Sequence, residues 1–154
     1  MTVAAVGRAK AGPARALFEQ YAARLARGPL GPLTLKEVEA KGAWPPAELR
    51  RREAELLLAA VPAGAPIVAL DERGQALTSA EFAGRLGRWR DAGTAELAFL
   101  IGGAEGLDER VRSAAEMVFS LGPPTWPHLL VRALLAEQLF RAASLLTGHP
   151  YHRE

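Results

Sequence analysis

The chain has 154 residues, 49% of them hydrophobic and 23% charged, which suits one globular domain and excludes a disordered polymer. A domain of this size buries roughly 70% of its unfolded surface. Zero cysteines exclude disulfides, thiolate metal sites and a cysteine nucleophile, and the formal charge of +2 excludes a bulk electrostatic grip on nucleic acid.

Taken in order, Thr2 to Val6 reads as a short buried strand, and Pro13 to Ala26 as a helix with proline in its first turn. Met1 to Arg8 lacks the basic start and long apolar stretch of a signal peptide, so a cytoplasmic protein is expected. Leu33 to Val38 alternates apolar and polar residues, as a half-buried strand does. Trp44-Pro45-Pro46 opens a second helix to about Ala60, and Ile67 to Leu70 is a buried strand followed by a turn at Asp71 to Gly74. Thr78-Ser79-Ala80-Glu81 has the form of a capping box before a helix that ends near Asp91 to Gly93. Ala95 to Ile101 is the most apolar strand, Asp108 to Met117 a helix, and Val118 to Leu121 a last strand. The loop Gly122 to Pro127 leads into a long helix from His128 to about Leu146.

Strands alternating with helices predict one α/β domain over residues 1–154, a mostly parallel sheet with helices on both faces. No apolar run reaches the roughly 18 residues of a membrane span, so no membrane partner is expected. Ligands of such sheets bind beyond the carboxyl ends of the strands, which singles out the loops after Leu70, Ile101 and Leu121.

The loop after Ile101 reads Gly102-Gly103-Ala104-Glu105-Gly106. Paired glycines permit close approach of a ligand, and they equally permit a tight turn from strand to helix. Neither the dinucleotide fingerprint nor a P-loop is present. In the loop from Ser120 to His128, Pro123, Pro124 and Pro127 stiffen the chain and remove three amide donors. The remaining backbone groups of Leu121, Gly122, Thr125 and Trp126 are then available to a flat ligand such as a purine; a purely structural crossover fits the composition as well. On the last helix, Arg132 falls on the apolar face with Leu135, Ala136 and Leu139, where an unpaired charge is costly. A carboxylate across a subunit interface or a phosphate would satisfy it, favouring a homodimer; the alternative is an arginine that snorkels to solvent.

Sixteen of the nineteen basic residues are arginine, which suits phosphate and base contacts and equally a GC-rich or heat-loving source. Candidate patches are Arg50-Arg51-Arg52 and Arg85, Arg88 and Arg90, each also readable as the wet face of a helix. The ending Gly148-His149-Pro150-Tyr151-His152-Arg153-Glu154 holds two of the three histidines. It is either a frayed end or a tail that completes an active site.

Three segments together carry a resemblance: Phe99 to Leu107; Ser120-Leu121 with Thr125, Pro127-His128, Val131-Arg132 and Glu137-Gln138; and Gly148 to Glu154. They resemble the motifs of the ribosomal RNA large subunit methyltransferase H family, small SPOUT-class enzymes, most densely from Phe99 onward. The resemblance implies a SPOUT fold with a C-terminal trefoil knot and a homodimer. It implies S-adenosylmethionine as cofactor, with no metal, and 23S rRNA within the ribosome as substrate. The target it implies is N3 of a pseudouridine of the position-1915 type in helix 69. Carried over by position, Leu70, Gly102, Gly103, Leu121, Gly122, Pro123, Pro124, Thr125 and Trp126 would contact the cofactor. Tyr151, His152 and Arg153 would close over the target base. Gly122-Pro123-Pro124 is stiffer than the family's pattern, Trp126 is larger than the usual residue, and the first strand is short.

N3 of a uracil ring carries a proton, so His152 is a candidate acceptor. Solvent is the other acceptor open at this point; Arg153 would stabilise charge on neighbouring carbonyl oxygens or hold a phosphate, and Tyr151 would stack on the base or bond its edge. A base in a stacked loop would have to be flipped out. The alternative to an enzyme is a non-catalytic ribosome-binding or assembly module of the same fold.

Overall fold

Apolar runs separated by glycine and proline fold into ten elements in strict alternation in the computed structural model, which describes residues 1–152, with the backbone alone at His152. They are β1 (Thr2–Val6), α1 (Pro13–Leu25), β2 (Thr34–Val38), α2 (Pro46–Ala59), β3 (Ile67–Ala76), α3 (Ser79–Asp91), β4 (Ala98–Ile101), α4 (Glu109–Ala114), β5 (Met117–Ser120) and α5 (His128–Thr147). A 3-10 turn, Pro150–His152, follows. The strands form one parallel sheet in the order β2-β1-β4-β3-β5.

Strand residues alternate between two apolar layers, as the two-residue period of a strand requires. Val3, Ala5, Val68, Phe99 and Phe119 face α1, α3 and α5, which contribute Phe18, Phe82 and Leu139 among others. Ala4, Val6, Ala69 and Leu100 face α2 and α4, with Leu57 and Val111. Phe82 and Phe119 stack with ring centroids 4.5 Å apart, fixing α3 over the sheet edge.

The local signals explain the element starts. Pro13 and Pro46 sit in the first turns of α1 and α2. The capping box at Thr78 forms in full: the Glu81 amide donates to Thr78 Oγ1 and the Thr78 amide to Glu81 Oε2.

Three boundaries differ from the sequence reading. The expected turn at Asp71 to Gly74 lies inside β3, because the chain bulges there and regains β5: Phe119 opposes both Leu70 and Gln75. Gly74 is required in that bulge, since a Cβ would lie 2.6 Å from the Val118 carbonyl oxygen. α4 has six residues, not ten: Ala115 is extended, and the Glu116 amide donates to the Ile67 carbonyl, so the ladder to β3 takes over. β4 starts at Ala98 rather than Ala95.

Candidate active site

A cavity of about 340 Å³ opens over the carboxyl ends of β3, β4 and β5. Its walls include Leu70 and Asp71 from β3, the Gly102 to Leu107 loop, the loop from Ser120 to Trp126, and His128 and Val131 of α5. Of the residues expected to hold a cofactor, Leu70, Gly102, Gly103, Leu121, Gly122, Pro124, Thr125 and Trp126 all line it, whereas Pro123 does not. Asp71, Arg73, Glu105 and Phe119 line it too. The sequence singles out the loops after Leu70 and Ile101, but reads Asp71 and Arg73 only as part of a turn and Phe119 only as part of a strand.

The two loops are ordered by their own chain. The Gly106 amide donates to the Gly103 carbonyl (3.1 Å), with Gly106 in the left-handed region at φ 76°. A Cβ on Gly102 would lie 2.9 Å from the Gly106 carbonyl carbon, and one on Gly103 would lie 3.0 Å from Val6 Cγ1 and 3.1 Å from the Glu53 carboxylate. Gly102 is therefore demanded by the tightness of the turn, whereas a Cβ at Gly103 would press on the Val6 and Glu53 side chains. In the second loop the Gly122 amide donates to Ser120 Oγ (3.2 Å), and the Trp126 indole N–H donates to the Leu121 carbonyl (3.4 Å). Contrary to the sequence reading, those groups of Leu121 and Gly122 already have partners within the loop. Trp126 stays partly exposed over the cavity mouth.

Charge in the site is uneven. Asp71, Glu72, Glu105 and Arg73 all line the cavity, and Asp71 is paired with Arg73 and with Arg112. Burial opposes ionisation of Asp71, but bonds from Arg73 and Arg112 outweigh it and hold the carboxyl below its usual range. Beneath the glycine turn, burial and then Glu105 raise the Glu53 carboxyl, whose Oε2 is buried without a hydrogen bond.

At the start of α5, burial and the neighbouring Arg132 charge push the His128 imidazole below its ordinary 6.5, so it is neutral at pH 7. The unfolded chain therefore takes up this proton at a higher pH than the folded one. The associated stability is complete above the unfolded value and is lost as pH falls through the lower folded value. His128→Gln should flatten the loss of thermal stability between about pH 7 and 5. Parallel melting curves of variant and wild type across that range would show that the imidazole titrates normally.

Arg132 is 1% exposed and finds its partners in its own chain, not across an interface or in solvent. It donates to Glu37 Oε1 (2.7 Å) and to the carbonyls of Val6 (2.6 Å) and Gly7 (2.7 Å). The same Glu37 oxygen accepts from the Ala9 amide (2.7 Å). The cluster locks the end of β1 to β2 and to α5. Its sequence signal was real, a charge on an apolar face, but its partners lay too far away in the chain to be read.

Two other expectations change. Arg51 pairs with Glu48 and Glu55, and Arg52 pairs with Glu48 while lying 3.6 Å over the Trp44 ring, so most of the Arg50 to Arg52 patch is neutralised within α2. Arg90 is spent on Asp91, whereas Arg85 and Arg88 stay exposed.

Tyr151 does not line the cavity. Its hydroxyl donates to Glu137 (3.2 Å) and bonds the Tyr21 hydroxyl (3.0 Å), and its ring meets Phe140 edge-on at 4.7 Å. Burial, Tyr21 and Glu137 all raise its pKa. The Tyr151 side chain folds back onto the middle of α5, where Glu137 and Phe140 lie about 13 and 18 Å along the helix from His128. Only the backbone of His152 is described, and Arg153 lies outside the described residues. Among the described residues, no group of metal-binding side chains is present and no helix is long and apolar enough to cross a membrane.

The all-parallel sheet, with a cavity between a glycine turn and a proline-rich loop at its carboxyl edge, agrees with the SPOUT class that the sequence resemblance implied. The family model described as "Predicted SPOUT methyltransferase" matches residues 1–152. Among curated proteins, the ribosomal RNA large subunit methyltransferase H of Rhodospirillum centenum is 62% identical over 152 residues, covering 98% of this chain and 97% of the relative. The protein of the same name from Paramagnetospirillum magneticum is 57% identical over 153 residues, covering 99% and 98%. The chain belongs to the ribosomal RNA large subunit methyltransferase H family of SPOUT methyltransferases.

Proposed function

We propose that this chain is an S-adenosylmethionine-dependent methyltransferase that methylates N3 of a pseudouridine, of the position-1915 type in helix 69, in 23S rRNA of the assembled ribosome. The observation that carries the reading is the cavity at the carboxyl edge of the sheet, built from the loops that follow β4 and β5. The names of the two relatives supply the substrate class.

The residues present fit the cofactor. The volume of about 340 Å³ lies within the range of small-molecule sites. Leu70, Leu121, Val131 and Trp126 offer apolar surface to a purine, and Thr125 a hydroxyl. With Asp71 already paired to Arg73 and Arg112, the Glu72 and Glu105 carboxylates suit a ligand whose sulfonium and ammonium outnumber its carboxylate. When bound, S-adenosylmethionine supplies a methyl group already activated on its sulfonium. The protein's part is to orient, exclude water and move one proton.

For the proton we assign His152, and for charge on the neighbouring carbonyl oxygens Arg153. Tyr151 anchors this tail through Tyr21, Glu137 and Phe140 and leaves stacking on the base to other groups. Tyr151 is anchored on Glu137 and Phe140, about 13–18 Å along α5 from His128, and does not line the cavity of its own chain; on that ground we assign the tail to a second subunit, and the enzyme acts as a homodimer. The same reading assigns the trefoil knot to the return from β5, at the sheet edge, to α5, which packs between α1 and α3.

Incubation of hypomethylated ribosomes with the protein and methyl-labelled cofactor, followed by mass spectrometry of 23S rRNA, should place one methyl on N3 of one pseudouridine. Label at another base would reject the target. Ribosome binding with no cofactor affinity at millimolar concentration would leave the non-catalytic assembly module.

A further inference from the structure

We propose that a second cavity, between the C-terminal ends of α1 and α5, binds a backbone phosphodiester of the RNA substrate; this rests on the RNA methyltransferase reading above. The cavity measures about 210 Å³ and is lined by Arg24 and Arg27 above Leu25, Phe140, Ala143 and Ser144.

Two observations point to an anion there. Ten arginines of the chain have a carboxylate within 4.0 Å; among the described residues Arg24 and Arg27, like Arg50, Arg85 and Arg88, have none, and Arg24 and Arg27 line one cavity. Two cations sharing one hollow without a counter-charge repel each other unless something negative sits between them. The Glu137 carboxylate nearby is already taken by Arg141, Gln138 and Tyr151. Second, Arg24 is held in place: its guanidinium lies 5.4 Å from the Phe140 centroid and 5.8 Å from that of Tyr21. Such stacking fixes the plane of the fork and leaves its edge N–H groups free, the arrangement that grips phosphate bidentately. Ser144 Oγ donates to the Phe140 carbonyl (2.9 Å) and Thr147 Oγ1 to that of Ala143 (3.0 Å), so donors to the anion come from the guanidiniums.

The location adds direction. Phe140 touches Arg24 on one side and Tyr151 on the other, so this hollow and the tail anchor form one surface. In the dimer proposed above, that surface adjoins the partner's cofactor cavity. A phosphate held here would belong to nucleotides flanking the target base and would hold the strand while the base leaves its stack.

Arg24→Gln, Arg27→Gln and the double variant test this in the full-length dimer, by equilibrium binding to hypomethylated ribosomes across a salt series, with methylation measured alongside. Both side chains are exposed, so the fold is retained. The double variant should bind ribosomes about tenfold or more weakly. Its plot of log affinity against log salt should lose roughly 0.7–0.9 of slope per arginine. Affinity for S-adenosylmethionine should not change. Arg27→Gln carries special weight, because Arg27 touches neither ring and its loss cannot loosen the tail. Wild-type affinity and salt slope in Arg27→Gln and the double variant, with methylation intact, would overturn the phosphate site alone. A wild-type protein that binds ribosomes without methylating them would overturn the catalytic reading and still let the binding series decide this site. Absence of ribosome binding by the wild type would overturn both.

Discussion

Removal of Tyr151 to Glu154 is expected to lower methyl transfer to ribosomes by a factor on the order of 10²–10⁴, the range general acid–base groups contribute. Affinity for S-adenosylmethionine should stay within a few-fold. The split follows from the geometry. The cavity is closed by loops that end at Trp126 and by the first turns of α5, and among the described residues Tyr151 is not one of its walls. What deletion removes is the proposed face toward the base, together with the anchor that Tyr151 makes with Tyr21 and Glu137. Calorimetry of cofactor binding beside single-turnover methylation measures both quantities. A truncated protein that methylates at the normal rate would return the tail to the frayed end that composition also allowed.

The largest effect on stability is expected at Arg132. Arg132→Ala should destabilise the protein by about 3–5 kcal/mol, the usual cost of breaking a buried ion pair by removing one partner. It strands the Val6 and Gly7 carbonyls and leaves Glu37 with the Ala9 amide as its remaining bond. For a domain of this size the melting temperature should fall by about 10 °C or more. The change also removes the positive charge that helps keep His128 neutral, so its pKa should rise toward 6.5. Melting within 2 °C of wild type would mean that the cluster does not hold the end of β1. Arg132→Met separates volume from charge: it fills the space and still leaves the two carbonyls without their donor.

The alternation of strands and helices was readable because it rests on local physics: two-residue periodicity in β1 and β2, proline at the start of α1 and α2, and the capping box at Thr78. The sites of the two loops followed from the parallel sheet, since ligands gather at the carboxyl ends of its strands. The errors arose where distant residues decide. Asp71 to Gly74 has the composition of a turn, yet pairing with β5 draws it into a bulged strand. Arg132 signalled a buried partner but not its address in β2, 95 residues earlier. The anchor of Tyr151 on Tyr21 spans 130 residues, and without it the tail could be imagined beside either cavity. The glycine pair allows two readings, and the tight turn accounts for it: Gly102 and Gly103 border the cavity, but the space they spare is used by Gly106, Val6 and Glu53.

The Arg132 clamp also bears on how the protein comes to exist at all. It ties the ends of the first two strands to a helix synthesised up to 126 residues later. A nascent chain emerging from the ribosome therefore carries an incomplete β1 through most of its own translation, with Val6, Gly7 and Glu37 awaiting a donor. Such a chain has little to gain from folding piece by piece as it emerges, and its long sequence separations favour slow, late assembly. Maturation is then expected as a single concerted event after release, exposing the half-made sheet to chaperones until α5 arrives.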